Sequence, residues 1–154
     1  MSKERGARDM TNQGLPWDCI GLPNDDSIRP RKGNADFCQW PLKIRLISPV
    51  APYFHKGHLL LATDCSAVTY KGFHNWVFKD RPVVIGCPLM DEPHFSEKLV
   101  KILKLNDIQS LTAVYMNTSC CKGFSKAVMD AIKKSGRDIP LKLTTVFTEG
   151  EIID

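Results

Sequence analysis

Short, almost continuously apolar segments recur along the chain and alternate with longer amphipathic ones. The apolar segments lie at residues 58–63, 82–87, 111–116 and 141–147. Runs of this kind are typical of strands that are buried on both faces of a parallel sheet. An earlier segment, Lys43 to Ser48, alternates apolar and polar residues and predicts another strand.

The segments between these runs have helical periodicity. Apolar residues fall on one helix face in two sets, Phe95, Leu99, Ile102 and Leu103, and then Phe124, Ala127, Val128, Ala131 and Ile132. Gly136 is placed to end the second helix as a C-cap, and Pro140 prevents its continuation. A weaker helix is predicted over Ser66 to Phe78, because Gly72 interrupts the pattern.

Strands that alternate with helices predict an α/β fold, a three-layer sandwich with a mostly parallel sheet and helices on both faces. This α/β domain is expected to span residues 40–154. Residues 1–39 are rich in Gly and Pro and have no clear periodicity, so they predict an irregular N-terminal arm. The pattern does not define the order of the strands.

The composition is that of an ordinary soluble domain, with 43% hydrophobic and 25% charged residues. The net charge of +4 is mild, whereas a nucleic-acid surface shows a concentrated basic stripe. No apolar run approaches the ~20 residues of a membrane-spanning helix, and the charged N-terminus lacks the apolar core of a signal peptide. We therefore expect a cytoplasmic protein that binds neither nucleic acid nor membrane, with its oligomeric state left open.

Six cysteines are many for a chain of this size in a reducing compartment. They form no C-x-x-C pair, which argues against a zinc ribbon and a thioredoxin-type motif. Cys65, Cys87 and the adjacent Cys120 and Cys121 each follow a predicted strand and lead into a helical segment. Because parallel strands end at one edge of a sheet, where open α/β folds bind ligands, these four thiols are expected to converge.

Thiols near helix N-termini have lowered pKa values, and thiolate is the form that binds soft metals and iron–sulfur clusters. Cys65, Cys87, Cys120 and Cys121 are therefore the candidate ligands of a metal or cofactor. An iron–sulfur cluster is the suspected cofactor, and zinc is the alternative. Such a domain would serve electron transfer or a redox accessory role beside a redox partner protein.

Two other functions stay open. One of Cys65, Cys87 and Cys120 could be the nucleophile of an enzyme, with His74 as its base. Alternatively, the thiols pack as small hydrophobes in a structural or interaction domain. The motifs G-x-G-x-x-G and G-x-x-x-x-G-K-[ST] are absent, so nucleotide binding has no motif support.

Several short motifs resemble those of one family. They are Asp64-Cys65-Ser66-Ala67, Gly86-Cys87-Pro88-Leu89-Met90-Asp91, Cys120-Cys121-Lys122-Gly123, Gly150-Glu151-Ile152, Trp40-Pro41 and Ala51-Pro52-Tyr53-Phe54. Over about residues 40–154, the chain resembles the cysteine-containing α/β domain of ferredoxin-like (4Fe-4S) iron–sulfur proteins of anaerobic microbes. The resemblance implies an iron–sulfur setting with the four cysteines at the matching positions. Two departures are the lack of a C-x-x-C-x-x-C cluster motif in residues 1–39 and Lys122 where a second glycine is expected.

Overall fold

A computed structural model describes residues 39–77 and 81–153, which alternate strands with helices. The strands are β1 (His58–Thr63), β2 (Val83–Gly86), β3 (Ser110–Met116), β4 (Leu141–Val146) and β5 (Ile152–Ile153). The helices are α1 (Asp64–Thr69), α2 (Phe73–Val77), α3 (His94–Leu105) and α4 (Phe124–Ser135), with 3-10 turns at Pro52–Phe54 and Ser119–Cys121. The four strands predicted from the continuous apolar runs are thus confirmed.

The sheet has the strand order β2-β1-β3-β4-β5. β1 to β4 are mutually parallel, and only β5 runs antiparallel to its neighbour. β1 lies between β2 and β3, so these three parallel strands end side by side along what we call the carboxyl edge. After β1 the chain moves to β2 and then returns past β1 to β3, which makes the β1/β3 boundary the topological switch point of the sheet.

The side chains of β1 explain why its sequence is apolar throughout. Leu59 and Leu61 belong to the core that contains α3 and α4, whereas Leu60 and Ala62 belong to the core that contains α2. All four are fully buried, and burying such a Leu side chain contributes about 1.5–3 kcal/mol to stability. The predicted three-layer sandwich with a mostly parallel sheet is confirmed.

The two helices predicted from their periodicity are also confirmed, as α3 and α4. Phe95 and Leu99 of α3, with Phe124 and Val128 of α4, are fully buried against the same face of the sheet. Gly136 ends α4 with a left-handed φ of 72°, and its N–H donates to the Lys133 carbonyl at 3.2 Å. No helix within residues 39–77 and 81–153 is long and apolar enough to cross a lipid bilayer.

The predicted strand Lys43 to Ser48 is wrong, apart from an isolated parallel bridge between Lys43 and Ile85. The chain turns here instead, and the N–H groups of Leu46 and Ile47 donate to the Lys43 carbonyl at 2.8 and 3.2 Å. The turn buries Ile44 and Ile47, three residues apart, and leaves Leu46 exposed. In a segment of six residues, the three-residue spacing of a turn cannot be distinguished from the two-residue alternation of a strand, which is why a strand was predicted.

The weak helix predicted over Ser66 to Phe78 is two helices, α1 and α2, separated by residues 70–72. The predicted N-terminal arm, residues 1–39, lies outside the described residues except for Gln39. The Gln39 side chain binds both backbone groups of Val83, donating to its carbonyl and accepting from its N–H at 2.7 Å each. The described chain therefore begins beside the amino end of β2, opposite the carboxyl edge.

Candidate functional site

All four candidate cysteines within the described residues lie at the carboxyl edge. Cys65 is the second residue of α1 and is exposed, and Cys87 follows β2 directly and is half-buried. Cys120 and Cys121 lie in the 3-10 turn between β3 and α4. Cys65 and the Cys120–Cys121 pair therefore flank the β1/β3 switch point, while Cys87 lies beyond β1 at the end of β2.

The adjacent cysteines have different surroundings. Cys121 is 4% exposed and packs in the core on the α2 side of the sheet with Leu60 and Met116. Cys120 is exposed. A 3-10 turn has about three residues per turn, so consecutive side chains point about 120° apart. Only one thiol of the pair is therefore directed to solvent.

The same turn makes Cys120 the more acidic thiol. The Thr118 hydroxyl, 3.2 Å from the sulfur, lowers the pKa of Cys120, with further help from the Cys121 thiol and the backbone N–H groups of Cys120 and Cys121. Burial raises the pKa of Cys121. Of the two thiols, Cys120 is therefore both the more accessible to metals and electrophiles and the more readily ionised to thiolate.

A lysine and two aspartates form an ion cluster at the β2 side of the edge. The Lys43 ammonium lies 2.5 Å from Asp64 Oδ2 and 2.8 Å from Asp91 Oδ2. The Cys87 N–H also donates to Asp91 Oδ2, at 2.7 Å. The Asp91 side chain therefore joins the β2 loop to Lys43.

Both ends of this cluster are held in the charged form. Burial alone would raise the pKa of Asp91, but the hydrogen bonds from Lys43 and from the Cys87 N–H, together with the charges of Lys43 and Arg45, hold it below its usual range. Burial alone would lower the pKa of Lys43, whereas its bonds to Asp64 and Asp91 raise it. Asp64, which precedes Cys65 in sequence, and Asp91, which accepts from the Cys87 N–H, are thus both already paired with a cation.

Thr63, the last residue of β1, carries an unusual polar group. It is 2% exposed, and its Oγ1 is the only buried side-chain N or O atom of the described residues that has no hydrogen-bond partner. A buried hydroxyl without a partner costs about 1–3 kcal/mol. Such a group at the end of β1 is a candidate contact for a ligand or an ordered water.

We expect Thr63→Val to raise the free energy of unfolding of the ligand-free protein by about 1 kcal/mol, because it removes an unpaired hydroxyl and preserves the branched shape. Urea denaturation measures this change. Thr144→Val is the matched control, since Thr144 is 1% exposed on β4 and does have an interaction partner. The control should lose stability, and a loss in Thr63→Val as well would mean that the Thr63 hydroxyl is already paired.

The four candidate thiols do not form a recognisable metal site among the described residues. Within residues 39–77 and 81–153, no three His, Cys, Asp or Glu side chains form a group that could hold a metal ion. Cys19 and Cys38 lie outside these ranges. The shared site of Cys65, Cys87, Cys120 and Cys121 therefore stays a prediction.

Comparison with known proteins corrects the family resemblance. A protein of Archaeoglobus fulgidus, described only as an uncharacterized protein, is 25% identical over 114 residues, covering 74% of this chain and 81% of that protein. No solved structure matches the chain. The family model for a Rossmann-like domain matches residues 51–154, so the resemblance to ferredoxin-like iron–sulfur proteins is wrong. This chain belongs to the Rossmann-like domain family.

Proposed function

We propose that this domain binds a soft metal ion or an iron–sulfur cluster through thiolates at the carboxyl edge, and that it acts as an accessory to a redox partner protein. Cys120 is the principal ligand in this proposal. The observation that carries it is the exposed Cys120 thiol, whose pKa is lowered by Thr118, beside the switch point of the sheet. Thiolate sulfur prefers soft metals such as zinc, copper(I) and the iron of iron–sulfur clusters.

Two features of the surrounding edge support this location. Thr63 brings its unpartnered hydroxyl to the end of β1, the strand that forms one side of the switch point. The β2 side of the edge is different, because Lys43 there already neutralises Asp64 and Asp91. A ligand at the edge therefore meets the Thr63 hydroxyl and the exposed Cys120 thiol on the β1/β3 side, and paired carboxylates on the β2 side.

The exposure of two candidate thiols supports an accessory role. Cys65 and Cys120 are both exposed, so other proteins can reach a metal bound to either thiolate. A metal with incomplete protein ligation keeps positions for outside ligands, as catalytic zinc does, whereas a structural site is closed. A partner protein that supplies the remaining ligands can then take up or release the metal.

Cys120→Ser is expected to reduce the bound metal to background, because serine stays protonated at neutral pH and is a poor ligand for soft metals. The protein and the variant are purified without oxygen and reconstituted separately with zinc and with ferrous iron plus sulfide. Metal and sulfide content and the visible absorption spectrum are then measured.

Ser119→Ala is the matched control, since Ser119 is an exposed neighbour in the same turn. It should retain the metal. Metal content unchanged in Cys120→Ser, or lost equally in Ser119→Ala, would contradict the proposal.

A second function has support from the same pKa shift. An exposed thiol with a lowered pKa is also suited to nucleophilic catalysis. The groups that lower the pKa of Cys120 are Thr118, Cys121 and backbone N–H groups, and His74, the base considered from the sequence, is not one of them. A protein that takes up no metal and whose Cys120 alone is alkylated rapidly near neutral pH would favour the enzyme over the metal-binding domain.

A further inference from the structure

A basic cavity lies beside the first half of α3. Its volume is about 290 Å³, and it is lined by Arg45, His94, Glu97, Lys98 and Lys101. His94, Lys98 and Lys101 are spaced as neighbours on one helix face, and Arg45 joins them from the turn before β1. Arg45, Lys98 and Lys101, together with His94, thus line a concave site that contains one carboxylate, that of Glu97.

The contacts of Lys98 hold the positive charges of the basic cavity close together. Its ammonium donates to the Arg45 carbonyl at 2.8 Å, which holds the side chain beside Arg45. Burial, and then the charges of Lys101 and Arg45, lower the pKa of Lys98. Within the described ranges, no carboxylate forms an ion pair with Arg45, Lys98 or Lys101. An anion in the cavity would relieve this repulsion.

A larger groove of about 610 Å³ adjoins the basic cavity, between α3 and α4. The two share Glu97 and Lys101 as lining residues. The groove has an apolar lining of Val100, Ala127 and Ala131. Cavities of roughly 300–1,000 Å³ with an apolar lining and a few convergent polar groups are typical of small-molecule sites.

We propose that the basic cavity and the adjoining groove together bind a small organic phosphate. Arg45, Lys98 and Lys101 bind the phosphate group, because guanidinium and ammonium groups form charge-assisted hydrogen bonds with phosphate oxygens. The apolar body of the ligand lies against Val100 and Ala127. None of the four cysteines lines either cavity, so this proposal does not rest on the thiolate site proposed above.

Isothermal titration calorimetry at low salt tests this assignment with three probes, hexyl phosphate, inorganic phosphate and hexanol. Hexyl phosphate should bind best, since it alone fills both parts of the site, and its affinity should fall as salt is added. Replacing both Lys98 and Lys101 with Gln should weaken binding about tenfold or more, the effect of roughly 1.4 kcal/mol. Lys104→Gln is the matched control, because Lys104 is an exposed lysine of the same helix that lines neither cavity, and its affinity should stay unchanged.

Ala127→Gln separates the two parts of the site. The larger side chain should fill the groove, so hexyl phosphate should bind no more tightly than inorganic phosphate. The affinity for inorganic phosphate itself should stay unchanged. Equal binding of hexanol and hexyl phosphate, or an equal loss in Lys104→Gln, would overturn the proposal. So would tighter binding of a poly-glutamate peptide that depends on Lys98 and Lys101, which would assign the surface to an acidic protein. The metal content of each variant should match that of the unmodified protein, so this test is independent of the thiolate site.

Discussion

Phe124→Ala is expected to lower the free energy of unfolding by about 3–5 kcal/mol, the usual loss for a fully buried phenylalanine. Phe124 is completely buried at the first position of α4. Its ring centroid lies 5.8 Å from that of Phe95 and 5.5 Å from that of Tyr115, so the substitution opens a cavity between α3, α4 and β3. Urea denaturation followed by circular dichroism measures the loss.

Met129→Ala serves as the control on the same helix. Met129 is exposed, so this variant should stay within about 0.5 kcal/mol of the unmodified protein. Phe124→Leu should fall between the two, because it preserves part of the buried volume. A loss below about 1 kcal/mol in Phe124→Ala would mean that Phe124 does not anchor the start of α4 and the cysteine turn before it.

The sheet could be predicted from the sequence because its strands are buried on both faces. In β1, only His58 is exposed, so almost every position must be apolar and the run is unmistakable. β5 has two residues, too few to show any periodicity. The Lys43 to Ser48 turn was misread because its buried residues, Ile44 and Ile47, lie in a segment too short to separate a spacing of three from one of two.

The position of the thiols followed from topology, but their roles did not. Cysteines after β1, β2 and β3 must lie on one edge once the sheet is parallel. The sequence does not show that the turn after β3 directs Cys121 into the core and Cys120 outward. The family resemblance was wrong because cysteines next to Gly, Asp or Ser at strand ends satisfy the general demands of an α/β edge, and such short motifs carry little information about ancestry.

The charged clusters could not be predicted, since both depend on residues that are distant in sequence. Lys43 and Arg45 both belong to the turn before β1. Lys43 forms ion pairs with Asp64 and Asp91, whereas Arg45 lines the basic cavity beside α3. Because that segment was read as a strand, neither contact was expected. A lysine and an arginine in a short segment before a strand do not indicate in the sequence which distant residues they contact.

Lys43→Met is expected to lower the free energy of unfolding by about 2 kcal/mol at neutral pH. The substitution leaves the Asp91 carboxylate, whose side chain is 5% exposed, without its ammonium partner. Breaking a fully buried ion pair costs about 3–5 kcal/mol, but 36% of the Lys43 side chain is exposed, so water screens part of the interaction. Lys71→Met is the control, because Lys71 is exposed, and should change stability by no more than about 0.5 kcal/mol.

The stability loss in Lys43→Met should depend on pH in a direction set by Asp91. In the unmodified protein the pKa of Asp91 is lower in the folded state than in the unfolded state. The contribution of Asp91 to stability is therefore complete above the unfolded-state pKa of about 3.9, and it is lost as pH falls through the folded-state pKa. The raised pKa of Lys43 keeps the lysine side of the interaction intact below about 10.5, so the loss should be constant across the neutral range.

Without Lys43, only the Cys87 N–H and the charge of Arg45 oppose the effect of burial, so the pKa of Asp91 should be higher in the folded variant than in the folded unmodified protein. The stability difference between the two proteins should therefore narrow as pH falls toward about 4 and below. Urea midpoints measured between neutral and acid pH test this, and Asp91→Asn added to Lys43→Met should recover part of the loss at neutral pH. A difference of the same size at every pH, with no recovery in the double variant, would show that Lys43 stabilises the fold by packing rather than by neutralising Asp91.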